Sequence, residues 1–469
     1  MRIEQLYTGC LAQGAYYIES NGESAIIDPL REVQSYIDLA NDRQTTIKFI
    51  FETHFHADFV SGHVTLAERT GAPIIFGPNA KPTFDSIIAS DNQEFKLGDV
   101  TIKVLHTPGH TMESTTYLLL DEDGVEHAIF SGDTLFLGDV GRPDLAQKAD
   151  NMTQEDLAEI LFDSLRQKIM TLPDATIVYP GHGAGSACGK NMSKETVGSI
   201  GEQKATNYAL RANMSKEEFI QEVTEGLSTP PAYFPLNVKL NKEGYDDIDE
   251  VLERSKNALN PKAFEELANQ IGAVVLDVRH QSDFSRGHIP RSIFIGLDGG
   301  FAPWVGTLIK DINQAILLVT PEGRLEETVT RLSRVGFDNV IGFLDGGFDS
   351  WISSNKEIDS IESVHSQKFA ELLNESKLNI IDVRKKSEYF SEHLINAKHS
   401  PLDEINNYLD YFEHENPNYI HCAGGYRSVI AISILKSRGI HNVIDVLGGF
   451  GAIKQTNAPK SEYICPTTL

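Results

Sequence analysis

The stretch VVLDVRHQSDFSRGHI (274–289) returns, with substitutions, as NIIDVRKKSEYFSEHLI (379–395). The offset is 105, which aligns Asp277 with Asp382 and His288 with His393. Downstream, VIGFLDGGF (340–348) returns as VIDVLGGF (443–450), with Gly346 and Gly448 offset by 102. Each copy reads strand, loop, strand, helix, strand, the pattern of a parallel α/β unit. A period this long, present twice, marks duplicated domains and not a solenoid. With 469 residues and about 150 residues per domain as a guide, three domains are expected: 1–255, 256–358 and 359–469.

The charge balance narrows the partners. Lys plus Arg is 41 and Asp plus Glu is 67, a formal charge of −26. A surface this acidic argues against nucleic acid and against anionic membranes. No apolar run nears the ~18 residues of a membrane span. The N-terminus MRIEQLYTGC carries Glu4 and lacks the apolar stretch of a signal peptide. Four cysteines, Cys10, Cys188, Cys422 and Cys465, do not make a disulfide scaffold, and a reducing cytoplasmic location is expected.

In the first half, strand-like runs at 15–20, 24–28, 48–53, 101–107, 114–120, 127–131 and 175–180 alternate with polar turns. A helix-like stretch, 153–171, opens at Thr153 with acidic residues in its first turn. The segment 187–260 is helical in pattern and broken by STPPAYFP (228–235). Four ligand-type clusters directly follow strand-like runs: His54, His56 and Asp58 after KFIFET, His110 after TIKVLHTPG, Asp133 after HAIFSG, and His182 after ATIVYPG. Loops beyond strand ends are where an open α/β site lies. Imidazole and carboxylate there suit zinc or iron. The residues alone do not choose which three of the six groups bind.

THFHADFVSGH (53–63), TPGHT (107–111), SGDT (131–134) and YPGH (179–182) resemble the metallo-β-lactamase superfamily over about residues 1–240. The resemblance implies an αββα sandwich with its metal at one edge. Hydrolases of this superfamily continue the first motif as HxHxDH, the last His serving a second metal; here Phe59 stands in its place. A phenyl ring cannot ligate, so a mononuclear site is expected. This arrangement resembles the persulfide dioxygenase branch, which implies one Fe(II) per chain held by His54, His110 and Asp133. His56, Asp58 and His182 then orient ligands and waters or serve as alternative ligands. GDVGRPDL (138–145) also resembles that branch, and Arg142 is expected to grip an anionic group of the substrate.

The last repeat holds IHCAGGYRSVIAISILKSRG (420–439). A strand-like run ends at Cys422, a glycine-containing loop follows, and an apolar-periodic helix begins at Ser428. Backbone N–H groups at a helix N-terminus favour negative charge on sulfur, and Arg427 adds positive charge. With the DVR box (382–384), the His393 box and LGGF (447–450), this repeat resembles a rhodanese domain, a sulfurtransferase that carries persulfide sulfur on cysteine. Four residues separate Cys422 from Arg427; cysteine phosphatases place five there. The middle repeat keeps DVR (277–279), GHIP (287–290) and DGGF (345–348), but its loop reads LLVTPEGRLEE (317–327). Thr320 or Pro321 occupies the place of the cysteine, so this copy is expected to be inactive. Cys188, six residues after His182, is a candidate secondary sulfur acceptor.

The whole chain thus resembles fused persulfide dioxygenase–rhodanese proteins. That resemblance implies oxidation of a low-molecular-weight thiol persulfide by O2 to sulfite, and sulfur transfer by Cys422 and Arg427 onto sulfite to give thiosulfate. A homo-oligomer is expected, with no nucleic-acid or membrane partner. The competing reading is a hydroxyacylglutathione-type thioester hydrolase with appended rhodanese domains; a third treats the chain as a sulfur-carrier scaffold.

Overall fold

The computed structural model describes residues 1–146, 151–227, 229–412 and 415–465. Of the segment 228–235, Ser228 lies outside the described residues. Two compact bodies form, Met1–Ile248 with Ser333–Gly336, and Asp249–Leu332 with Phe337–Leu469. Among the described residues no helix is long and apolar enough to cross a membrane.

The first body contains two six-stranded sheets. One runs in chain order through β1 (Arg2–Thr8), β2 (Gln13–Ser20), β3 (Glu23–Ile27), β4 (Thr46–Phe51), β5 (Ile74–Phe76) and β6 (Ile87–Ile88). The other comprises β7 (Glu94–Leu97), β8 (Val100–His106), β9 (Thr115–Leu120), β10 (Glu126–Gly132), β11 (Ile177–Pro180) and β12 (Gly198–Ser199). Alternation along the strands sorts the side chains into layers. Tyr16, Ile18, Ala128, Phe130, Tyr117 and Leu119 enter one apolar core shared by both sheets. The intervening Ala15 and Tyr17 pack on the helix Gln34–Asp42, and Leu118 and Ile129 pack on the helix Gln154–Ser164. Helix, sheet, sheet and helix therefore stack in that order, as expected for an αββα sandwich.

The helix Gln154–Ser164 starts where the sequence says it should. Thr153 Oγ accepts the Asp156 N–H at 3.1 Å and Asp156 accepts the Thr153 N–H at 2.9 Å, a reciprocal cap. The coil then widens to a π turn over Leu165–Ile169. Segment 187–260 is helical at Ile200–Thr206, Lys216–Thr224, Phe234–Glu243 and Ile248–Ser255.

The second body carries two five-stranded parallel sheets of identical plan. The first orders its strands β13 (Ala258–Leu259), β17 (Val340–Leu344), β16 (Ile316–Val319), β14 (Val274–Asp277), β15 (Ile293–Phe294). The second orders β18 (Glu362–His365), β22 (Val443–Leu447), β21 (Asn418–His421), β19 (Asn379–Asp382), β20 (Lys398–His399). The repeated motifs meet in space. In the last repeat Arg384 clamps Asp382 at 2.6 Å and lies 3.8 Å over the Phe450 ring; in the middle repeat Arg279 clamps Asp277 at 2.6 Å and lies 4.1 Å over Phe348. Arginine on an aromatic face, closed by a carboxylate, is a framework contact, and it explains why DVR and GGF recur together.

Candidate functional site

The six metal-type residues of the first body separate into three groups. Donor atoms of His54, His110 and Asp133 lie within 4.8 Å of one another, and all three residues are buried. Asp133 Oδ2 sits 3.8 Å from His54 Nε2 and 3.6 Å from His110 Nε2, with no hydrogen-bond partner of its own. A buried carboxylate oxygen left bare beside two imidazole nitrogens is what a divalent cation satisfies.

Backbone and second residues aim these ligands. Asp28, just past β3, accepts the Thr53 N–H and the Thr53 hydroxyl, each at 2.8 Å. The Thr53 oxygen lies 3.0 Å from His54 Nδ1. His110 Nδ1 lies 2.9 Å from the Arg142 carbonyl, to which it donates. Both rings are thereby held with Nε2 toward Asp133. Burial pushes both imidazoles toward the neutral form, the form that ligates. Two close approaches require glycine. A Cβ at Gly141 would fall 1.9 Å from the Asp133 carbonyl, and one at Gly109 would fall 2.4 Å from Leu161 Cα in the helix Gln154–Ser164.

His182 belongs to a second group. Its Nδ1 is 2.8 Å from Asp133 Oδ1 and its Nε2 is 2.8 Å from Asp58 Oδ2. Burial opposes a charge on this ring, but the two carboxylates outweigh it and hold His182 protonated well above the usual imidazole range. The Cys188 sulfur lies within 4.8 Å of the Asp58 and His182 donor atoms. Burial, then the Asp58 and Asp133 charges, push its thiol well up, so the neutral thiol prevails there.

His56 turns to a third group, with Nε2 3.2 Å from Asp28 Oδ1 and 3.5 Å from Glu52 Oε2. Phe59 is fully buried, its ring centroid 4.3 Å from that of His56. Arg142 is 3% exposed; its guanidinium grips Asp144 at 2.6 and 2.7 Å and the Ala187 carbonyl at 3.1 Å. Asp28, Glu52, Thr53 and His63, whose Nδ1 is 3.2 Å from Glu52, were not singled out from the sequence. Thr53 and His63 bound the motif THFHADFVSGH, and Asp28 left a signal as an acid followed by proline at the end of an apolar strand.

In the second body, β21 delivers Cys422 into a tight loop. Its sulfur accepts the Gly425 N–H at 3.1 Å and is 1% exposed. Gly425, at φ 106°, turns the chain into the helix Tyr426–Ser437. Arg427 is held by both Glu388 carboxylate oxygens at 2.6 and 2.8 Å. His393 Nδ1 donates to the Tyr389 carbonyl at 2.9 Å and stacks on that ring, so the histidine box is a framework element. Tyr426 donates to the Gly296 carbonyl of the middle repeat at 2.7 Å, and a Cβ at Gly299 would fall 2.3 Å from its ring. In the middle repeat Val319 pairs with Asp277 as His421 pairs with Asp382. Thr320 therefore stands at the cysteine position, and Leu325 stands at the position of Arg427.

Family models match in the same places. The metallo-β-lactamase superfamily model covers residues 8–182, and the rhodanese-like domain model covers 260–354 and 365–456. A crystal structure of a metallo-β-lactamase from Staphylococcus aureus subsp. aureus COL is 31% identical, with 73% of this chain and 98% of that chain covered and a TM-score of 0.65. The chain belongs to the metallo-β-lactamase superfamily. Its superfamily domain is followed by two rhodanese-like domains. A crystal structure of ETHE1 from Myxococcus xanthus is 32% identical over 52% of this chain and 98% of that one, at a TM-score of 0.44. A cytoplasmic hydroxyacylglutathione hydrolase of Arabidopsis thaliana is 32% identical over 178 residues, which is 37% of this chain and 65% of that protein. The chain thus spans just under two thirds of that curated relative.

Proposed function

We propose that the chain oxidises a low-molecular-weight thiol persulfide with O2 to sulfite and thiol, and that its last domain passes a sulfane sulfur to sulfite to give thiosulfate. The observation that carries this reading is the sorting of the six candidate ligands. His54, His110 and Asp133 converge, His56 Nε2 lies beside Asp28 and Glu52, and Asp58 is paired with His182. Two imidazoles and one carboxylate with open positions suit ferrous iron. A ferrous ion on these residues would supply the electron chemistry that lets O2 react with sulfur.

The chain's own residues do the rest. Thr53 and the Arg142 carbonyl fix the two rings. His182, protonated between Asp133 and Asp58, offsets the negative charge around the ligands. Phe59 fills the position from which a histidine would serve a second cation. In the last domain the Cys422 thiolate attacks the outer sulfur of RS–SH. The S–S bond breaks, RS⁻ leaves, and Cys422 carries the sulfur as Cys–S–SH. After this persulfide loses its proton, sulfite attacks the outer sulfur, which departs as thiosulfate and restores the Cys422 thiolate. Cys188, beside Asp58 and His182, is proposed as a secondary sulfur acceptor, and the middle domain as catalytically inactive. Fe(II), the persulfide, O2 and sulfite are the proposed cofactor and reactants; a cytoplasmic homo-oligomer completes the reading.

The test is metal analysis of anaerobically purified protein together with oxygen uptake on adding a thiol persulfide. A single iron per chain and uptake abolished by His110→Ala or Asp133→Ala, with the fold retained, are expected. Two zinc ions per chain with efficient thioester hydrolysis would sink the proposal in favour of the hydrolase.

A further inference from the structure

The backbone of the turn 56–61 is held by a side chain that lies outside residues 8–182, the span of the superfamily model. Asn241 belongs to the helix Phe234–Glu243 and is 1% exposed. Its Nδ2 donates to the His56 carbonyl and to the Phe59 carbonyl, each at 2.8 Å. Its Oδ1 accepts the Ser61 N–H at 2.8 Å. Both amide hydrogens and the amide oxygen are thus spent on one turn. Flipping the amide would set its oxygen against two carbonyls and its nitrogen against an N–H, so a single orientation fits. Three residues earlier on the helix, Val238 packs against the apolar cluster of Phe55, Ile74, Phe76 and Ala80. Amide and apolar contact together seat the helix on the loop that follows β4.

The neighbouring polar groups of the loop are met from the strand side. The Gly62 N–H and the Ser61 hydroxyl both donate to the Pro29 carbonyl, at 2.7 and 2.9 Å. The two carbonyls that Asn241 takes lie on either side of Asp58. Asp58 Oδ2 reaches His182 Nε2 at 2.8 Å, and His56 Nε2 lies 3.2 Å from Asp28 Oδ1 and 3.5 Å from Glu52 Oε2. Backbone torsions over 56–59 decide where these two side chains point. A buried carbonyl that loses its donor is costly and turns to find another, and such a turn would carry both side chains with it. A buried amide whose hydrogen bonds are all used specifies one arrangement of its surroundings.

We propose that Asn241 is a positioning residue for the metal centre. By fixing the backbone of 56–61 it sets Asp58 against His182 and His56 against Asp28 and Glu52, and leaves His54, His110 and Asp133 as the converging ligands. The helical segment beyond the sandwich is thus a part of the centre as well as a connector. Asn241 acts through the backbone of the loop and needs no contact with substrate. This inference rests on the metal half of the proposed function and not on the sulfur-transfer half.

The test titrates Co(II) into the metal-free full chain without oxygen and follows the visible absorption of the bound ion. Wild type should bind a single Co(II) per chain. Asn241→Ala should bind it about tenfold more weakly, the lower end of what losing a hydrogen bond behind the ligands costs, and with shifted visible bands. Asn241→Asp keeps the size but sets a carboxylate oxygen against two carbonyls, and should weaken binding at least as much. Thermal melting, followed by circular dichroism, is measured on the same samples. A role in packing alone would lower the melting temperature and leave Co(II) affinity and spectrum at wild-type values; that result would overturn the proposal. If Asn241→Ala folds poorly, Asn241→Gln decides. Its amide, one methylene further out, no longer meets all three groups in place, and binding as tight as wild type would overturn the proposal again. A wild-type chain that takes up no Co(II) would instead overturn the metal half of the proposed function, and Asn241 with it.

Discussion

The two rhodanese-like repeats share a framework and differ in a loop. Both keep five parallel strands in the same order, an Asp–Arg clamp over a phenyl ring, and a histidine bonded back to a carbonyl four residues earlier. Where the last repeat has Cys422, Arg427 and Ser428, the middle one has Thr320, Leu325 and Glu326. Glu388 grips Arg427, while Asp283, at the equivalent place, pairs with Arg286. Fold and chemistry are thus carried by different residues of the same unit. The framework survives the loss of every group that could handle sulfur.

Breaking that difference should have its largest effect at Cys422. Cys422→Ser keeps the shape but cannot form a persulfide. Thiosulfate should cease to be the main product while oxygen uptake and sulfite release continue, as product analysis would show. Enzymatic thiosulfate at the wild-type rate would move the sulfur carrier to Cys188.

A smaller loss is expected when Arg427 is freed. Glu388→Gln weakens a part-buried bidentate pair, and sulfur loading should slow about tenfold, the scale of one charged hydrogen bond. Arg427→Ala should slow loading at least as much without abolishing it, because the Gly425 N–H still faces the sulfur. Loading rates measured by quenched mass spectrometry would check both.

Asp445, buried on β22 where the middle repeat has Phe343, distinguishes the repeats in stability. Its carboxyl titrates near 4 when unfolded and at about 6 in the fold, raised by burial. Between those values the native state binds the extra proton, so the last repeat loses stability as pH rises from about 4 to about 6. The loss is on the order of 2–3 kcal/mol. Asp445→Asn should flatten that slope and leave β22 more protected at pH 7. Both tryptophans, Trp304 and Trp351, lie in the middle repeat, so hydrogen exchange at β21 and β22, and not fluorescence, is the measurement. The smallest effect sharpens the comparison most. Thr320→Cys should place a thiol in the middle repeat yet gain no measurable persulfide by mass spectrometry, because Leu325 stands where the last repeat has Arg427.

Much of this was legible in the chain. Strands β2, β4, β8, β9, β10 and β11 fall where apolar runs lie, because both faces of a sandwich strand are covered and the runs are unbroken. The repeat and the cysteine loop were equally plain. The sorting of the metal-type residues was not. Six groups at strand ends look alike until Asp28 and Glu52 claim His56 and His182 bridges Asp58 to Asp133. Whether Thr320 or Pro321 replaces the cysteine turned on the ladder register, which one residue of slip would change. Arg142, expected to face an anion, is engaged by Asp144 two residues away, while its carbonyl turns out to orient His110. Asp445 is a single acid in an apolar strand, and only its burial sets it apart.

The seat of Tyr426 has a consequence for how this protein can change. The sulfur-handling loop is moored by one hydroxyl to the Gly296 carbonyl, and its ring fits only because position 299 has no side chain. A substitution at Gly299 is therefore, in effect, a substitution in the loop of the other repeat. The copy without the thiol is not free to drift or to be discarded: selection on the last repeat's loop reaches across the duplication and keeps Gly299 a glycine in the other domain.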